Sequence, residues 1–196
     1  MIRVLTYKEI DRGEWSRLVQ TSATGTWFQT PEAYEFFASQ PKLFKPFLVG
    51  VICDPAGAQT LLRGVCVGYV TVEKNPIKQY FTRRAIIIGG PVIANDATSE
   101  EVETLMIAVR NQFKILDFRF KILDSPIFIE TRNFNDYSRW KGAFEKAGFE
   151  YKRHLNFHVD CTDKEKMWER LSKTRQKQIR RALRSGVEVV DRRKRM

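Results

Sequence analysis

The sequence predicts a chain of mixed α/β or α+β class, and three observations predict it. Strand-like and helix-like hydrophobic periods alternate along the chain with short turns between them, which is layered organisation rather than a helical bundle. The 196 residues are 43% hydrophobic and 12% aromatic, enough to bury a substantial core in one domain or one and a fraction, and too apolar for a disordered chain. The positive charge gathers at one end, which separates residues 1–162, read as the α/β domain, from residues 163–196, read as a basic helical segment.

The first strand is expected from Ile2 to Thr6. Asp11, with Glu14 three residues on, forms a capping pair for a helix that carries Trp15, Leu18 and Val19 on one face. After a loop from Ser22 to Gln29, Thr30 as N-cap and Pro31 at the first helical position start a short helix whose Tyr34, Phe36 and Phe37 are expected in the core. Two β-rich runs, Phe47 to Cys53 and Leu61 to Val72, flank Asp54-Pro55-Ala56-Gly57, the turn residues of a hairpin, so an antiparallel pair is predicted. A third strand, Ala85 to Ile88, runs into Gly89-Gly90-Pro91.

Thr98 with Glu101 then caps a helix in which Val102, Leu105, Met106, Val109 and Phe113 keep helical spacing. The five residues from Phe113 to Asp117 recur identically from Phe120 to Asp124. Seven residues is close to two turns, so the repeat extends the helix on the same face if helical and makes a swollen loop if not; both stay open. Pro126 to Thr131 is apolar enough for a buried strand, and Arg132-Asn133-Phe134-Asn135-Asp136 supplies a loop and an N-cap for a helix bearing Trp140 and Phe144, ended by Gly148. Phe149 to Asp160 is expected to form one or two further strands, after which Thr162 or Asp163 opens a helix through Trp168 and Leu171.

The last helix, Ser172 to Ser185 closed by Gly186, carries the sharpest chemistry. Net charge is +11, and from Lys164 to Met196 thirteen Lys and Arg stand against four acids, so nearly all the excess sits in the tail. Trp168, Leu171, Ile179, Ala182 and Leu183 can share an apolar stripe, which leaves Lys173, Lys177, Arg180, Arg181 and Arg184 on the other side and Arg175 near the boundary. A purely structural surface helix interleaves Glu with Lys at i to i+4, whereas no acid interrupts this face. The lack of acids points to a polyanion: RNA, DNA, anionic lipid or a pyrophosphate-bearing substrate.

Other constellations are weaker. Cys53, Cys66 and Cys161 are odd in number and widely spaced, which argues for buried, reduced thiols rather than a disulfide framework or a zinc knuckle. His154 and His158 would share one side of a strand but have no third ligand nearby, so no metal site is expected. Gly89-Gly90 lacks both the Walker sequence and the dinucleotide fingerprint. The N-terminus has no signal-peptide layout and no apolar run spans a bilayer, so no transmembrane segment and a cytoplasmic location are expected.

Several phrases, in order, resemble the FemAB-like peptidoglycan aminoacyltransferases, relatives of the Gcn5-type acetyltransferase fold. They are Ser22-Ala-Thr-Gly25-Thr-Trp-Phe-Gln29, Gly89-Gly90-Pro91, Ile129-Glu130-Thr131-Arg132-Asn133, Phe144 with Gly148-Phe149, and His154-Leu-Asn156 with Val159-Asp160. The longest is Lys173-Thr-Arg175-Gln-Lys177-Gln-Ile179-Arg180-Arg181 leading to Gly186-Val187-Glu188-Val189. The resemblance implies a Gcn5-type, acyltransferase-like domain, a central mixed sheet flanked by helices. It implies transfer of an amino acid from aminoacyl-tRNA to a peptidoglycan precursor, without acetyl coenzyme A or another cofactor. Gln29, Gly89, Gly90, Arg132 and Asn133 are the expected substrate cleft, and Lys173, Arg175, Lys177, Arg180, Arg181 and Arg184 the expected polyanion contacts.

The sequence departs from the family in two places. Relatives complete the cleft with a second domain, which leads us to expect a half-molecule: a truncated product, a piece that a partner chain or a dimer completes, or a domain cut from a longer protein. Glu35, Phe36 and Phe37 stand where some relatives place a phosphate-gripping lysine. Three function classes remain: an aminoacyltransferase, a non-catalytic module that binds RNA or protein through its basic helix, and an ordinary acetyltransferase that binds coenzyme A. Convergence of Gln29, Gly89-Gly90 and Arg132-Asn133 on one cleft would favour an enzyme.

Overall fold

A computed structural model describes residues 1–53, 61–113, 125–157 and 160–187. The predicted Asp54–Gly57 turn, the repeat beyond Phe113, His158 and Val159, and the chain after Val187 lie outside the described residues. The chain divides into two compact units, residues 1–153 and 154–196.

The first unit is a mixed sheet with helices on both faces. Strand β1 (Ile2–Thr6) leads to α1 (Arg12–Thr21) and α2 (Pro31–Ala38). The Asp11 carboxylate accepts from the Glu14 N–H at 2.8 Å, and the Thr30 hydroxyl from the Ala33 N–H at 3.1 Å, so both helices start where the capping residues predict. Strands β2 (Phe44–Cys53) and β3 (Leu61–Thr71) form the predicted antiparallel pair. A short helix that the hydrophobic pattern does not announce, α3 (Pro76–Thr82), precedes β4 (Arg84–Gly89) and the two-residue β5 (Val92–Ile93). Helix α4 (Ser99–Asn111) carries the predicted capping box, with Thr98 N–H to Glu101 Oε2 at 2.8 Å and Glu101 N–H to Thr98 Oγ1 at 3.2 Å. Strand β6 (Phe128–Asn133) and α5 (Lys141–Lys146) follow.

The sheet order is β1-β2-β3-β4-β6, with β5 beside β3; every pair is antiparallel except β4–β6, which is parallel. The parallel pair requires a crossover, and α4 supplies it. Alternation along the strands builds two cores. On one face Leu48, Val67, Tyr69 and Ile86 meet Trp15 and Leu18 of α1 and Ala33 and Phe37 of α2. On the other, Val49, Val51, Cys66 and Ile87 meet Leu105 and Val109 of α4.

Some expectations are corrected. Phe36 is half-exposed, because Phe37, its neighbour round the helix, takes the inward position. The strand expected from Pro126 begins at Phe128 and takes in Arg132 and Asn133; it borders only β4 among the described residues, so its side chains are exposed or half-buried rather than core. No strand forms among the described residues of 149–160, since no neighbouring strand offers that backbone a ladder. Of the cysteines only Cys66 is buried; Cys53 is half-buried and Cys161 exposed.

In the second unit Asp163 caps α6 (Lys164–Arg170), accepting from Lys166 N–H at 3.0 Å, and Ser172 caps α7 (Lys173–Arg184). Gly186, with φ of 74°, closes α7: Gly186 N–H donates to Leu183 O and Val187 N–H to Ala182 O. No side chain of α6 or α7 is buried, and Ile179 and Leu183 of the predicted stripe are exposed.

Candidate functional site

The site grows from a mismatch between β3 and the chain opposite. Tyr69 and Val70 pair with Ile86 and Ala85, and Gly64 and Val65 with Ile93 and Val92. Between those ladders three residues of β3, Cys66 to Gly68, oppose five, Ile87 to Pro91, so the longer side must bulge. A β-bulge leaves backbone groups without ladder partners, and Gln29 supplies them. Its Oε1 accepts from Val67 N–H at 2.8 Å, and its Nε2 donates to Val67 O and Ile88 O, both at 2.9 Å. The amide thus stands in for a peptide group between the strands, and it is wholly buried. Trp15 Nε1–H donates to the Gln29 carbonyl at 2.7 Å and holds the clamp's own backbone.

The displaced residues are Gly89 and Gly90, with φ of 83° and 80°. A Cβ on Gly90 would lie 2.6 Å from both Asn133 Oδ1 and Tyr137 Oη, so glycine is demanded here by conformation and by space. The Tyr137 hydroxyl sits 2.7 Å from Pro91 O and 3.2 Å from Gly89 O, pinning the far side of the bulge. Burial pushes that hydroxyl's pKa well up, so it donates as a neutral phenol throughout the physiological range. Asn133 Oδ1 accepts from Thr131 Oγ1 at 2.6 Å. On the other side Thr26 Oγ1 is the atom nearest to a Cβ built on Gly89; it is buried and has no hydrogen-bond partner among the described residues. A buried hydroxyl beside a glycine turn, without a protein partner among the described residues, is a polar group that a water or a bound polar group can satisfy.

Four of the five expected cleft residues therefore converge at the carboxyl ends of β4 and β6, in two roles. Gly89 and Gly90, both buried, make the bulge with half-buried Asn133 against it, while Gln29 is behind it and shapes it. Arg132 does not join them. Strand alternation sends it to the opposite face of β6 from Asn133, where its Nε donates to Glu130 Oε1 at 2.8 Å. That contact holds the Glu130 carboxyl below the usual carboxylate range, and Arg132 is raised in turn by the same bond. A row of aromatic rings runs from Phe36 to Phe134, with centroid spacings of 6.2 Å from Phe36 to Trp27, 5.4 Å from Trp27 to Phe28 and 5.9 Å from Phe28 to Phe134. Trp27, Phe36 and Phe134 are exposed. The sequence names Thr26 and Trp27 only within a longer phrase; the signal that could have singled them out is their place directly before the clamp.

No nucleophile–base pair accompanies the bulge among the described residues. The arrangement places the Thr26 hydroxyl, a row of aromatic rings and a carboxylate–guanidinium pair around a glycine turn, groups that could position a reactant but hold no evident proton shuttle. His154 lies in the second unit, exposed and outside any strand.

In that second unit, Lys173, Lys177, Arg180, Arg181 and Arg184 occupy one side of α7 and are exposed; no carboxylate pairs with them among the described residues. Arg175 stands nine positions before Arg184, two and a half turns away, so it points from the opposite side; it donates to Gln178 Oε1 at 3.0 Å. Arg180 lies 5.4 Å from the Trp168 ring centroid.

No protein-family model matches the chain, and no curated protein matches it. A solved structure described as a probable acetyltransferase is similar over 84% of this chain and 99% of its own, with 13% identity and a TM-score of 0.46.

Proposed function

We propose that the first unit is an aminoacyl-transfer domain of FemAB-like type, which moves an amino acid from aminoacyl-tRNA to the peptide amine of a peptidoglycan precursor. The observation that carries the reading is the clamped Gly89–Gly90 bulge with the unpaired Thr26 hydroxyl at its side. In this reading the aminoacyl ester lies against the bulge, and the Thr26 hydroxyl, buried in the free protein, must be uncovered for the ester carbonyl to take it. The acceptor peptide crosses the aromatic row toward Arg132 and Glu130. The acceptor amine attacks the ester carbonyl, the ester C–O bond breaks, and the departing tRNA hydroxyl ends with the proton that the amine loses. Approach and orientation supply most of the acceleration, in keeping with a bulge equipped for positioning.

A second reading rests on a different observation, the uninterrupted cationic side of α7: a non-catalytic module that binds RNA or protein. Radiolabelled aminoacyl-tRNA offered with a precursor peptide separates the two. Transfer that falls at least about tenfold in Thr26→Val, the loss of one positioned hydroxyl, supports the enzyme. Salt-sensitive tRNA binding with no transfer supports the module. Acetylation of the acceptor from acetyl coenzyme A instead would place the chain with the ordinary acetyltransferases.

A further inference from the structure

Helix α3 is amphipathic in the wrong sense. A surface helix of a soluble domain turns its apolar side to the core. Here the inward contacts are polar. Gln79 donates to Thr71 O at 3.1 Å and accepts from the Glu73 N–H, the Thr71 hydroxyl accepts from Arg84 N–H at 3.1 Å, and Asn75 Oδ1 caps the helix by accepting from Ile77 and Lys78 N–H. No described side chain of α3 enters either hydrophobic core. Its apolar residues face outward: Ile77 is 71% exposed, Phe81 70% and Tyr80 47%. Ile127 N–H donates to Arg83 O at 3.0 Å and Phe128 pairs with Arg84, so two more residues with exposed apolar side chains lie where the chain leaves α3.

Exposed Lys74, Lys78 and Arg84 lie among these residues, and no acid occurs from Lys74 to Arg84; Glu73, just before, and Glu130, whose carboxyl feels Arg84 and is already paired with Arg132, are the nearby carboxylates. A contiguous apolar patch on a domain surface marks a partner. Aliphatic and aromatic tips surrounded by long cationic side chains match a bilayer interface, where the tips enter the acyl boundary and the cations meet anionic headgroups. No described helix is long and apolar enough to cross a membrane, so such contact would be peripheral. We propose that α3, with Ile127 and Phe128, docks the first unit onto an anionic lipid surface. This goes beyond the transfer reading and does not depend on it.

Sedimentation with vesicles of phosphatidylcholine, alone or with about a third phosphatidylglycerol, tests the proposal in the full chain. Because α7 is also cationic, every arm is run with and without Gln at Lys173, Lys177, Arg180, Arg181 and Arg184. Expected is binding to the anionic vesicles that survives neutralisation of α7 and falls roughly 30-fold or more in Ile77→Ser/Phe81→Ser, from two side chains that no longer enter the bilayer. Replacing Lys74, Lys78 and Arg84 by Gln weakens it further at low salt than at high salt. Since all these side chains are exposed, the variants should keep the parent's far-UV spectrum and melting point, and loss of either would show α3 to be a folding element and overturn the proposal. Binding unchanged in Ile77→Ser/Phe81→Ser, or wholly lost with the α7 cations, overturns it. So does a concentration-dependent dimer of the parent that this double substitution abolishes, which would assign the patch to a protein partner.

Discussion

Replacing Gln29 by Met tests the clamp with the least change of shape, since Met fills a similar volume and offers no amide. Three backbone groups then lose the amide that pairs them, Val67 N–H and Val67 O in a buried position and Ile88 O in a half-buried one. A buried donor or acceptor left unpaired costs about 1–3 kcal/mol, and three of them, two on one residue and able to relax together, give roughly 3–6 kcal/mol. Domains of this kind hold only about 5–15 kcal/mol, so the change is large. At about 2–4 °C per kcal/mol, the melting point of the first unit drops by roughly 6–24 °C. Urea titration followed by tryptophan fluorescence reads the same destabilisation, because Trp15 bonds the Gln29 carbonyl. Hydrogen exchange reads it at one atom, the Val67 amide, whose protection should collapse. Gln29→Glu should be worse at neutral pH, where a carboxylate would face two carbonyl oxygens, and should recover in acid, where the protonated group can donate to one of them. A Gln29→Met protein within about 1 kcal/mol of the parent, with Val67 still protected, would refute the clamp.

Three further outcomes rest on the same geometry. Gly90→Ala should cost about 2 kcal/mol or more, because positive φ and crowding by Asn133 and Tyr137 add; Gly186→Ala, at φ 74° with nothing within 4 Å, should cost about 1 kcal/mol, both read by thermal melts. Gln at Lys173, Lys177, Arg180, Arg181 and Arg184 should shallow the salt slope of tRNA binding by roughly 0.7–0.9 for each phosphate no longer neutralised, while Arg175→Gln alone changes it little. Arg63→Met leaves Glu101 buried without the guanidinium 2.9 Å away and should destabilise by about 3 kcal/mol, measured in urea.

What was legible in the sequence is what is local. Asp11, Thr30, Thr98 and Asp163 bond a backbone N–H within three residues, so a capping signal needs no knowledge of the fold. Helix α3 carries a comparable signal in Asn75 and Pro76, but its Ile77, Tyr80 and Phe81 face outward, and hydrophobic periodicity finds helices by assuming the reverse. Strand β5 has two residues and exists only through Gly64 and Val65 of β3, a partnership too distant along the chain for any local pattern to contain. The site was half legible for the same reason. The two glycines announce a turn, but that Gln29 builds it depends on Val67 and Ile88, 38 and 59 residues away. Arg132 and Asn133 look like one motif in the chain and are parted by the pleat.

The parallel β4–β6 pair ties the two proposed surfaces together. Its carboxyl ends carry Gly89, Gly90 and Asn133, and its amino ends carry Arg84 and Phe128 beside α3. Each strand has six residues, so at about 3.3 Å per residue the bulge stands roughly 17 Å from the α3 patch along the strands. With its strands near the membrane normal, a domain seated on lipid through α3 would hold the proposed transfer site beyond the headgroup layer rather than in it, within reach of a soluble donor and of an acceptor that projects from the surface. The clamp bears on the first of the two surfaces. Gln29 grips β4 at Ile88, one residue before the bulge, on the same strand that starts at Arg84, so loosening it would disturb the site first and leave α3's own polar anchors, Gln79 and Asn75, in place. Vesicle binding that survives Gln29→Met while transfer is abolished is the pattern this arrangement requires.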